Sequence, residues 1–175
     1  MIINIFGSTG TIGRKTLNLI DKNFTDLKIN LLVAKSNVIL LRKQIVKYKP
    51  KYVFIYDRKK RDLLKSKINN AKVLNFDELI DYLKSNKSNL TVLAISGYKS
   101  LYFLDAIVNN TDNLGIASKE AIVSAGHIFK KNKYFKKTKF FPLDSEHYSL
   151  HEYFNNYKNI HQIKKIIITA SGGPF

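Results

Sequence analysis

A glycine-rich turn near the start of the chain has the residue types of an anion-binding site. It runs from Gly7 to Gly13 with the spacing G-x-x-G-x-x-G, between the apolar segment Ile2–Phe6 and an amphipathic segment that begins at Thr11. Glycines permit a tight turn and the close approach of a phosphate, and a following helix offers free N–H groups and a positive dipole end. The turn therefore predicts a dinucleotide pyrophosphate site; the alternative is a tight turn that holds no ligand.

The end of the second apolar segment indicates which dinucleotide this turn would hold. Sites for NAD usually carry an acidic residue there, which binds the ribose 2′-hydroxyl. This sequence instead has Lys35, Ser36 and Asn37 after Ala34, with one cation and no carboxylate. A carboxylate would repel a 2′-phosphate and Lys35 would attract it, so we predict NADPH as the cofactor.

Two carboxylates two positions apart, Asp144 and Glu146, are a second candidate for chemistry. In extended backbone both side chains point the same way, which would let them bind one hard divalent cation such as Mg²⁺ or Mn²⁺. Two ligands are too few for such an ion, so a third would have to come from elsewhere. The alternative is a helix start with Asp144 as N-cap and acids in the first turn, and the spacing alone slightly favours it.

Further polar residues follow predicted strands or share a helix face. Ser118–Glu120 open a helix at the sheet edge where ligands bind in open α/β folds, so Lys119 is a candidate anion-binding residue; an ordinary capped helix start is the alternative. Ser171 follows a strand-like segment in a glycine-rich setting that suits a phosphate. His147 and His151 have the i, i+4 spacing of a zinc pair, but nothing else marks a zinc site, and a surface or capping role is favoured.

The elements that must position these residues alternate between strand and helix, which predicts βαβ units and a parallel sheet. The predicted strands are Ile2–Phe6, Lys28–Ala34, Tyr52–Tyr56, Ala71–Leu74, Leu90–Ile95, Asn113–Ala117, Phe140–Leu143 and Lys165–Ala170. The predicted helices are Thr11–Lys22, Asn37–Lys49, Arg58–Asn69, Phe76–Lys84, Ser100–Asn109, Lys119–Lys130 and Ser145–Phe154. The fold class is therefore α/β, with a Rossmann-like, doubly wound and mostly parallel sheet.

Composition narrows the classes of protein. Of the 175 residues, 45% are hydrophobic and 25% are charged, as in an ordinary globular domain, and the absence of cysteine excludes disulfides and thiolate metal sites. No apolar run reaches the roughly 18 residues of a membrane span. Met1 leads directly into a strand-like segment, which is not the pattern of a signal or transit peptide. We expect a soluble intracellular protein with no membrane partner.

The net charge of +17 raises the question of a nucleic-acid partner. The basic segment 130–139 interleaves lysines with aromatic residues, as single-strand binders do. However, only four of the 30 cationic residues are arginine, the better reader of phosphates and guanines. Lysine, isoleucine and asparagine all have A/T-rich codons, so codon bias accounts for the charge. We predict no nucleic-acid partner.

The segments Gly7–Gly13, Lys119–Glu120, Pro142–His147 and Thr169–Phe175, in this order, resemble those of the 1-deoxy-D-xylulose 5-phosphate reductoisomerases of non-mevalonate isoprenoid biosynthesis. The likeness spans essentially the whole chain, whereas aspartate-semialdehyde and acyl-phosphate reductases share only the first turn. It implies an NADP-dependent oxidoreductase that isomerises and reduces 1-deoxy-D-xylulose 5-phosphate to 2-C-methyl-D-erythritol 4-phosphate. The implied location is the cytoplasm, or a plastid if a transit peptide has been removed.

The resemblance also implies roles for individual residues. Those implied to contact NADPH are Thr9, Gly10, Thr11, Ile12, Lys35, Ser36, Asn37, Ser118 and Glu120. Those implied to bind the phosphorylated substrate are Lys119, Ser145 and Ser171, and the implied ligands of Mn²⁺ or Mg²⁺ are Asp144 and Glu146. The implied catalytic residues are Lys119 and His147, with His147 behind the metal ligands. Ser118 stands where the family has asparagine, which implies weaker cofactor binding.

The resemblance implies two domains, an NADPH-binding Rossmann-like domain over residues 1–143 and the beginning of an α+β catalytic domain over residues 144–175. Family members are more than twice as long, and their remaining part holds a third metal carboxylate, a loop that covers the substrate and a dimer-forming sheet. We therefore expect an N-terminal portion of a homodimeric enzyme that is inactive by itself. The alternative is a decayed or repurposed NADP-binding protein without catalysis.

Overall fold

Strands and helices alternate strictly along the chain. The computed structural model describes residues 1–24, 26–131, 137–156 and 163–167, with the backbone alone at 128–131. The strands are β1 (Ile2–Phe6), β2 (Lys28–Ala34), β3 (Tyr52–Ile55), β4 (Lys72–Val73), β5 (Ser88–Leu93), β6 (Thr111–Ile116) and β7 (Lys139–Pro142). The helices are α1 (Thr11–Asn23), α2 (Val38–Tyr48), α3 (Arg58–Lys65), α4 (Phe76–Ser85), α5 (Leu101–Asn109), α6 (Lys119–Lys131) and α7 (Ser145–Asn156).

All seven described strands form one parallel sheet in the order β4-β3-β2-β1-β5-β6-β7. The chain first builds outward from β1 to β4 and then returns to place β5 on the other side of β1. The strand order thus reverses at the β1–β5 pair, where Ile3–Phe6 align with Leu90–Leu93. In open α/β sheets, ligands bind in the crevice outside the carboxyl ends of the strands at such a switch point.

Each face of the sheet is covered by its own hydrophobic cluster. Ile3 and Ile5 of β1 pack with Leu17 of α1 and Leu41 of α2 on one face. On the opposite face, residues of β1 and β2 pack with α4, α5 and α6, and Phe103 of α5 is among the fully buried side chains. Burial on both faces explains why the central strands are mostly apolar and do not alternate regularly with polar residues.

The predicted fold class is confirmed, and most predicted elements are present within a few residues. The third predicted helix is shorter, because it ends at Lys65 rather than Asn69. The strand predicted from Lys165 is not formed over residues 165–167, where Ile166 and Ile167 are exposed and have no sheet neighbour among the described residues; its remainder lies outside them. No described helix combines the length and apolarity needed to cross a bilayer.

Candidate functional site

The glycine turn joins β1 to α1 in a conformation that glycine makes possible. Gly7 has φ of +83°, and a Cβ there would lie 2.8 Å from the carbonyl carbon of Ala94 after β5. A Cβ on Gly13 would lie 2.7 Å from Cα of Ser8, so this residue must also be small to let α1 approach the turn. Both the Gly7 and Ser8 N–H groups donate to the Val33 carbonyl of β2, which anchors the turn to the sheet.

The first turn of α1 presents N–H groups without a capping side chain. Helix α1 begins after Gly10, whose position carries no side-chain cap and no acid in the following turn. By contrast, the side chains of Asn37, Asp57 and Asn75 accept hydrogen bonds from the first turns of α2, α3 and α4. An uncapped N-terminus next to a glycine turn is the arrangement that binds phosphate in nucleotide-binding proteins.

A cavity of about 330 Å³ opens beside the glycine turn. Its walls come from the residues that follow β1, β2, β3 and β5, so it occupies the crevice at the switch point. Of the predicted cofactor residues, Thr9, Gly10 and Lys35 line it directly. Its described lining contains no carboxylate, so its electrostatic character favours an anionic ligand.

Of the residues after β2, Lys35 lines the cavity and Asn37 caps the following helix. Lys35 is exposed at the cavity wall, and none of its neighbours among the described residues is a carboxylate within ion-pair distance. Asn37 is the N-cap of α2, since its Oδ1 accepts from the N–H of Leu40 at 2.9 Å. The cap holds the 35–37 segment in place beside the cavity.

Gln44 of α2 stabilises the glycine turn through a hydrogen bond. Its side-chain amide, buried in α2, donates to the carbonyl oxygen of Ser8 at 2.8 Å. The Ser8 hydroxyl and the Gln44 carbonyl oxygen are both buried without a hydrogen-bond partner among the described residues. Sequence reasoning missed Gln44, because 36 residues separate it from the turn that it contacts.

A hydrogen-bonded group of serines and a glutamate lies at the start of α6. Ser118 is only 2% exposed, and its hydroxyl lies 2.8 Å from that of Ser100 and 3.3 Å from Oε2 of Glu120. The Glu120 backbone N–H, with smaller contributions from the Ser118 hydroxyl and the Gly97 N–H, outweighs burial and lowers the pKa of Glu120. Glu120 is therefore a carboxylate at neutral pH, tied to the loop that follows β5.

Asp144 is both a helix cap and a partner of His147. Its Oδ1 accepts from the backbone N–H of His147 at 3.0 Å, which makes it the N-cap of α7, and its Oδ2 lies 2.7 Å from Nδ1 of the same histidine. Burial opposes ionisation of Asp144, but the backbone and ring hydrogen bonds from His147 outweigh it and lower the pKa of this carboxyl. The helix-start alternative is therefore realised, and the histidine orients the carboxylate.

Glu146 lies exposed in the first turn of α7, near Lys119. The Ser145 hydroxyl, which donates to Glu146 at 2.8 Å, lowers the pKa of Glu146, and its own backbone N–H and the Lys119 ammonium add to this effect. The attraction between Lys119 and Glu146 relates the first turns of α6 and α7, which follow the neighbouring strands β6 and β7. The structure thus places Lys119 and the carboxylate pair Asp144 and Glu146 at the ends of the neighbouring strands β6 and β7, although the lysine lies far from both acids in sequence.

The donor chemistry at α7 fits part of a divalent cation site. A carboxylate has about four acceptor positions, and Asp144 accepts from two N–H groups of His147, the backbone N–H and the ring Nδ1–H, the ring nitrogen lying within reach of both carboxylate oxygens. Within the described ranges, no three His, Asp or Glu side chains converge as a complete ligand set. These residues would therefore supply two oxygen ligands of the kind that Mg²⁺ and Mn²⁺ take. Ser171 lies outside the described residues.

A parallel sheet with a glycine turn at its switch point defines the class of the chain, a Rossmann-like α/β protein. Sequence comparison then identifies the family. The profile of 1-deoxy-D-xylulose 5-phosphate reductoisomerase matches residues 3–126, and that of the C-terminal domain of the same enzyme matches residues 140–175. The chain belongs to the 1-deoxy-D-xylulose 5-phosphate reductoisomerase family.

Individual relatives agree with this assignment. The reductoisomerases of Thermodesulfovibrio yellowstonii and Pelagibacter ubique are each 38% identical, over 98% and 99% of this chain, and each is covered to 45% of its length. The reductoisomerase of Zymomonas mobilis, solved in complex with NADPH, superposes with a TM-score of 0.84 at 30% identity, over 99% of this chain and 46% of that one. The chain thus spans slightly less than half the length of these relatives.

One further structure bears on ligands. A reductoisomerase solved with NADPH, fosmidomycin and magnesium superposes with a TM-score of 0.76 at 25% identity, over 84% of this chain and 37% of that one. These three ligands were bound to that protein.

Proposed function

We propose that the crevice beside the glycine turn binds NADPH. The observation that carries this proposal is the uncapped first turn of α1, which faces a cavity whose described lining holds no carboxylate. The backbone N–H groups of Thr11 and Ile12 would bind the pyrophosphate, together with Thr9 and Gly10. Lys35, with Ser36 and Asn37, would bind the adenosine 2′-phosphate. The NADPH complex of the Zymomonas mobilis relative supports this choice of cofactor.

We further propose that these residues serve the reductoisomerase reaction, the conversion of 1-deoxy-D-xylulose 5-phosphate to 2-C-methyl-D-erythritol 4-phosphate, in the non-mevalonate isoprenoid pathway. Bound NADPH supplies the hydride for the reduction. Glu120 and Ser118 would lie beside the nicotinamide, and Lys119 would bind the substrate and stabilise negative charge on its oxygens. Family membership supports these roles, as does the position of Lys119 and Glu146 at the starts of two helices that follow neighbouring strands.

Asp144 and Glu146 are proposed as two ligands of Mg²⁺ or Mn²⁺. A bound divalent ion would hold two oxygens of the substrate in place. His147 keeps Asp144 ionised and oriented, Ser145 does the same for Glu146, and Ser145 and Ser171 would bind the substrate. A third carboxylate is required, so we propose that the 175-residue chain alone does not turn over.

The proposed domain boundary falls after residue 143, which directly follows β7, the last described strand of the sheet. Leu143 still bonds to β6 through its N–H and the Ile116 carbonyl, whereas Asp144 begins α7. Separate family profiles match residues 3–126 and 140–175, which supports two domains, although the second match begins within β7 rather than after residue 143. For the whole enzyme we propose a cytoplasmic homodimer with a phosphorylated small-molecule substrate and with neither nucleic acid nor membrane as a partner.

The cofactor proposal is tested by measuring dissociation constants of NADPH and NADH for the 175-residue chain and its Lys35→Met variant. We expect the chain to prefer NADPH, and Lys35→Met to weaken NADPH binding about tenfold, the loss of one charge-assisted hydrogen bond, with little change for NADH. Absence of NADPH binding, or equal effects on both dinucleotides, would refute the assignment.

The reaction is tested with a chimera that joins this chain to the remaining part of the Thermodesulfovibrio yellowstonii relative. With substrate, Mg²⁺ and NADPH, the chimera should oxidise NADPH, while the 175-residue chain should not. In the chimera, Asp144→Asn and Glu146→Gln should each abolish turnover but leave NADPH affinity unchanged. A chimera that binds NADPH, folds and yet shows no turnover would favour the alternative of a non-catalytic NADP-binding protein.

A further inference from the structure

A second lysine lines the same cavity and belongs neither to the glycine turn nor to the segment after β2. Lys99 belongs to a short 3-10 turn, Tyr98–Ser100, between β5 and α5. Its Nζ lies 4.3 Å from the ring centroid of Tyr56, which follows β3. Ammonium groups within about 6 Å of an aromatic face are attracted by its quadrupole. The ring therefore holds this ammonium at the cavity wall.

The position of Lys99 is that of a cation without a counter-ion. Lys99 is partly buried, and no carboxylate among the described residues lies within ion-pair distance of its Nζ. A partly buried charge that has only an aromatic partner remains incompletely compensated. An anionic ligand in the cavity would supply the missing compensation.

Lys99 and Lys35 line the same cavity. The N–H of Tyr56 donates to the Ala34 carbonyl and that of Asp57 to the Lys35 carbonyl, both at 3.0 Å, so the backbone of Tyr56 is fixed beside the end of β2. Both lysines and the ring line the cavity. Two ammonium groups supplied by β2 and by the loop after β5 thus face one space that has no acid in its described lining.

We propose that Lys99, held by Tyr56, is a second cationic ligand of the adenosine 2′-phosphate and selects NADPH over NADH jointly with Lys35. This assignment rests on the proposed NADPH site and adds to it a residue outside the segment that follows β2. Tyr56 acts as a positioning residue, because its ring sets the place of the ammonium.

Dissociation constants of NADPH, NADH, adenosine 2′,5′-bisphosphate and 5′-AMP for the native chain, Lys99→Met, Lys99→Arg and Tyr56→Leu test the assignment. Lys99→Met should weaken NADPH and the bisphosphate about tenfold, as for one charge-assisted hydrogen bond, and change NADH and AMP less than about twofold. Lys99→Arg should retain the preference, and Tyr56→Leu should lose part of it. Lys84→Met, which removes one charge from the last turn of α4 at the opposite edge of the sheet, should have no effect.

The outcomes separate this assignment from the proposed function. If the native chain binds NADPH and Lys99→Met weakens neither dinucleotide, or weakens both by the same factor, Lys99 does not read the 2′-phosphate. If Tyr56→Leu weakens both dinucleotides equally while Lys99→Met has no effect, the ring stacks on adenine and the proposal is wrong. If the native chain binds neither NADPH nor the bisphosphate, the proposed function itself fails.

Discussion

The surroundings of Ser118 in the structure give it a different role from the one that its residue type suggests. The sequence suggests a cofactor contact weaker than the asparagine of the family, but the structure directs the serine hydroxyl to Ser100 and to Glu120. Ser100 is fully buried and Ser118 almost so. The small side chain therefore fits a packed site, and its hydroxyl helps to keep Glu120 ionised.

Because of this packing, we expect replacement of Ser118 by asparagine to destabilise the fold. Ser118→Asn adds two heavy atoms where the serine hydroxyls are already 2.8 Å apart, so we expect a loss of about 1–3 kcal/mol in the free energy of unfolding, typical of overpacking. Ser118→Ala removes a hydrogen bond without adding volume and should cost about 1 kcal/mol. Urea denaturation measures both, and the double change with Ser100→Gly should recover part of the loss. A Ser118→Asn variant as stable as the native chain would contradict this account.

At the residue scale, the sequence predicted roles that depend on neighbouring residues but not contacts between residues far apart along the chain. The spacing of the glycines and the missing acid after Ala34 indicated a phosphate-binding turn and NADPH from the sequence alone. Gln44 and Tyr56 lie far along the chain from the residues that they contact, and only the folded sheet brings them together. One feature of the sequence could have indicated a ligand-binding role for Lys99: it lies just after β5, at the switch point where ligands bind in open α/β sheets.

At the scale of elements, capping distinguishes α1 from the helices α2, α3 and α4. Helices α2, α3 and α4 satisfy N–H groups of their first turns with side chains, and α4 has a full capping box between Asn75 and Glu78. Helix α1 leaves its first turn open at the mouth of the crevice. Helix α5 also lacks a side-chain cap, but it continues directly from the 3-10 turn Tyr98–Ser100, so the open first turn of α1 beside the glycine turn is the one that fits our proposed phosphate site.

Two helical glycines test whether the close approach of α1 to the turn is required. Gly13→Ala should lower the free energy of unfolding by about 2 kcal/mol or more, because its Cβ would lie 2.7 Å from the Ser8 Cα. Gly126→Ala in α6 has its nearest neighbour at 3.8 Å and should stabilise by about 0.5–1 kcal/mol through helix propensity. Thermal or urea unfolding measures both changes. Equal effects of the two substitutions would show that the turn tolerates a side chain.

The capping box of α4 gives a pH-dependent prediction. The Asn75 N–H, with Lys72 adding, outweighs desolvation and lowers the pKa of Glu78 from its ordinary value of 4.5. Because the folded-state pKa is the lower one, this stabilisation is present above the ordinary value and is lost as the pH falls through the folded-state pKa. Glu78→Gln should therefore cost about 0.5 kcal/mol at pH 7 and nothing in strong acid.

Urea denaturation at a series of pH values measures this difference. Asp77→Asn, which removes a charge from the same helical turn, serves as the control and should show a smaller change with pH. A cost of Glu78→Gln that persists unchanged in strong acid would show that its ionisation contributes nothing to the cap.

At the scale of the whole molecule, the strand order explains why the candidate residues converge. The alternation of elements in the sequence predicts a parallel sheet but not the order of its strands. Strands that are buried on both faces have similar apolar sequences, so the sequence does not show which strands pair. The observed order places β1 between β2 and β5 and sets β6 beside β7. The candidate groups that follow described strands consequently lie at one edge, with the crevice at the switch point in the centre and Lys119, Asp144 and Glu146 to one side.

Stability should be unevenly distributed across this architecture. No residue of α7 is buried, whereas β1 is buried from Ile3 to Phe6. Native-state hydrogen exchange should therefore show α7 amides opening locally at a cost of about 0–2 kcal/mol, while β1 amides exchange only through global unfolding. Equal protection of the two elements would mean that α7 is held by contacts beyond those described.

The most direct test of the central claim, that the crevice beside the glycine turn binds NADPH, is calorimetric titration of NADPH into the native chain and its Gly13→Ala and Gly126→Ala variants. We predict one NADPH per chain with a dissociation constant on the order of micromolar, retained in Gly126→Ala and lost in Gly13→Ala. The absence of binding to the native chain, or undiminished binding to a folded Gly13→Ala variant, would contradict it.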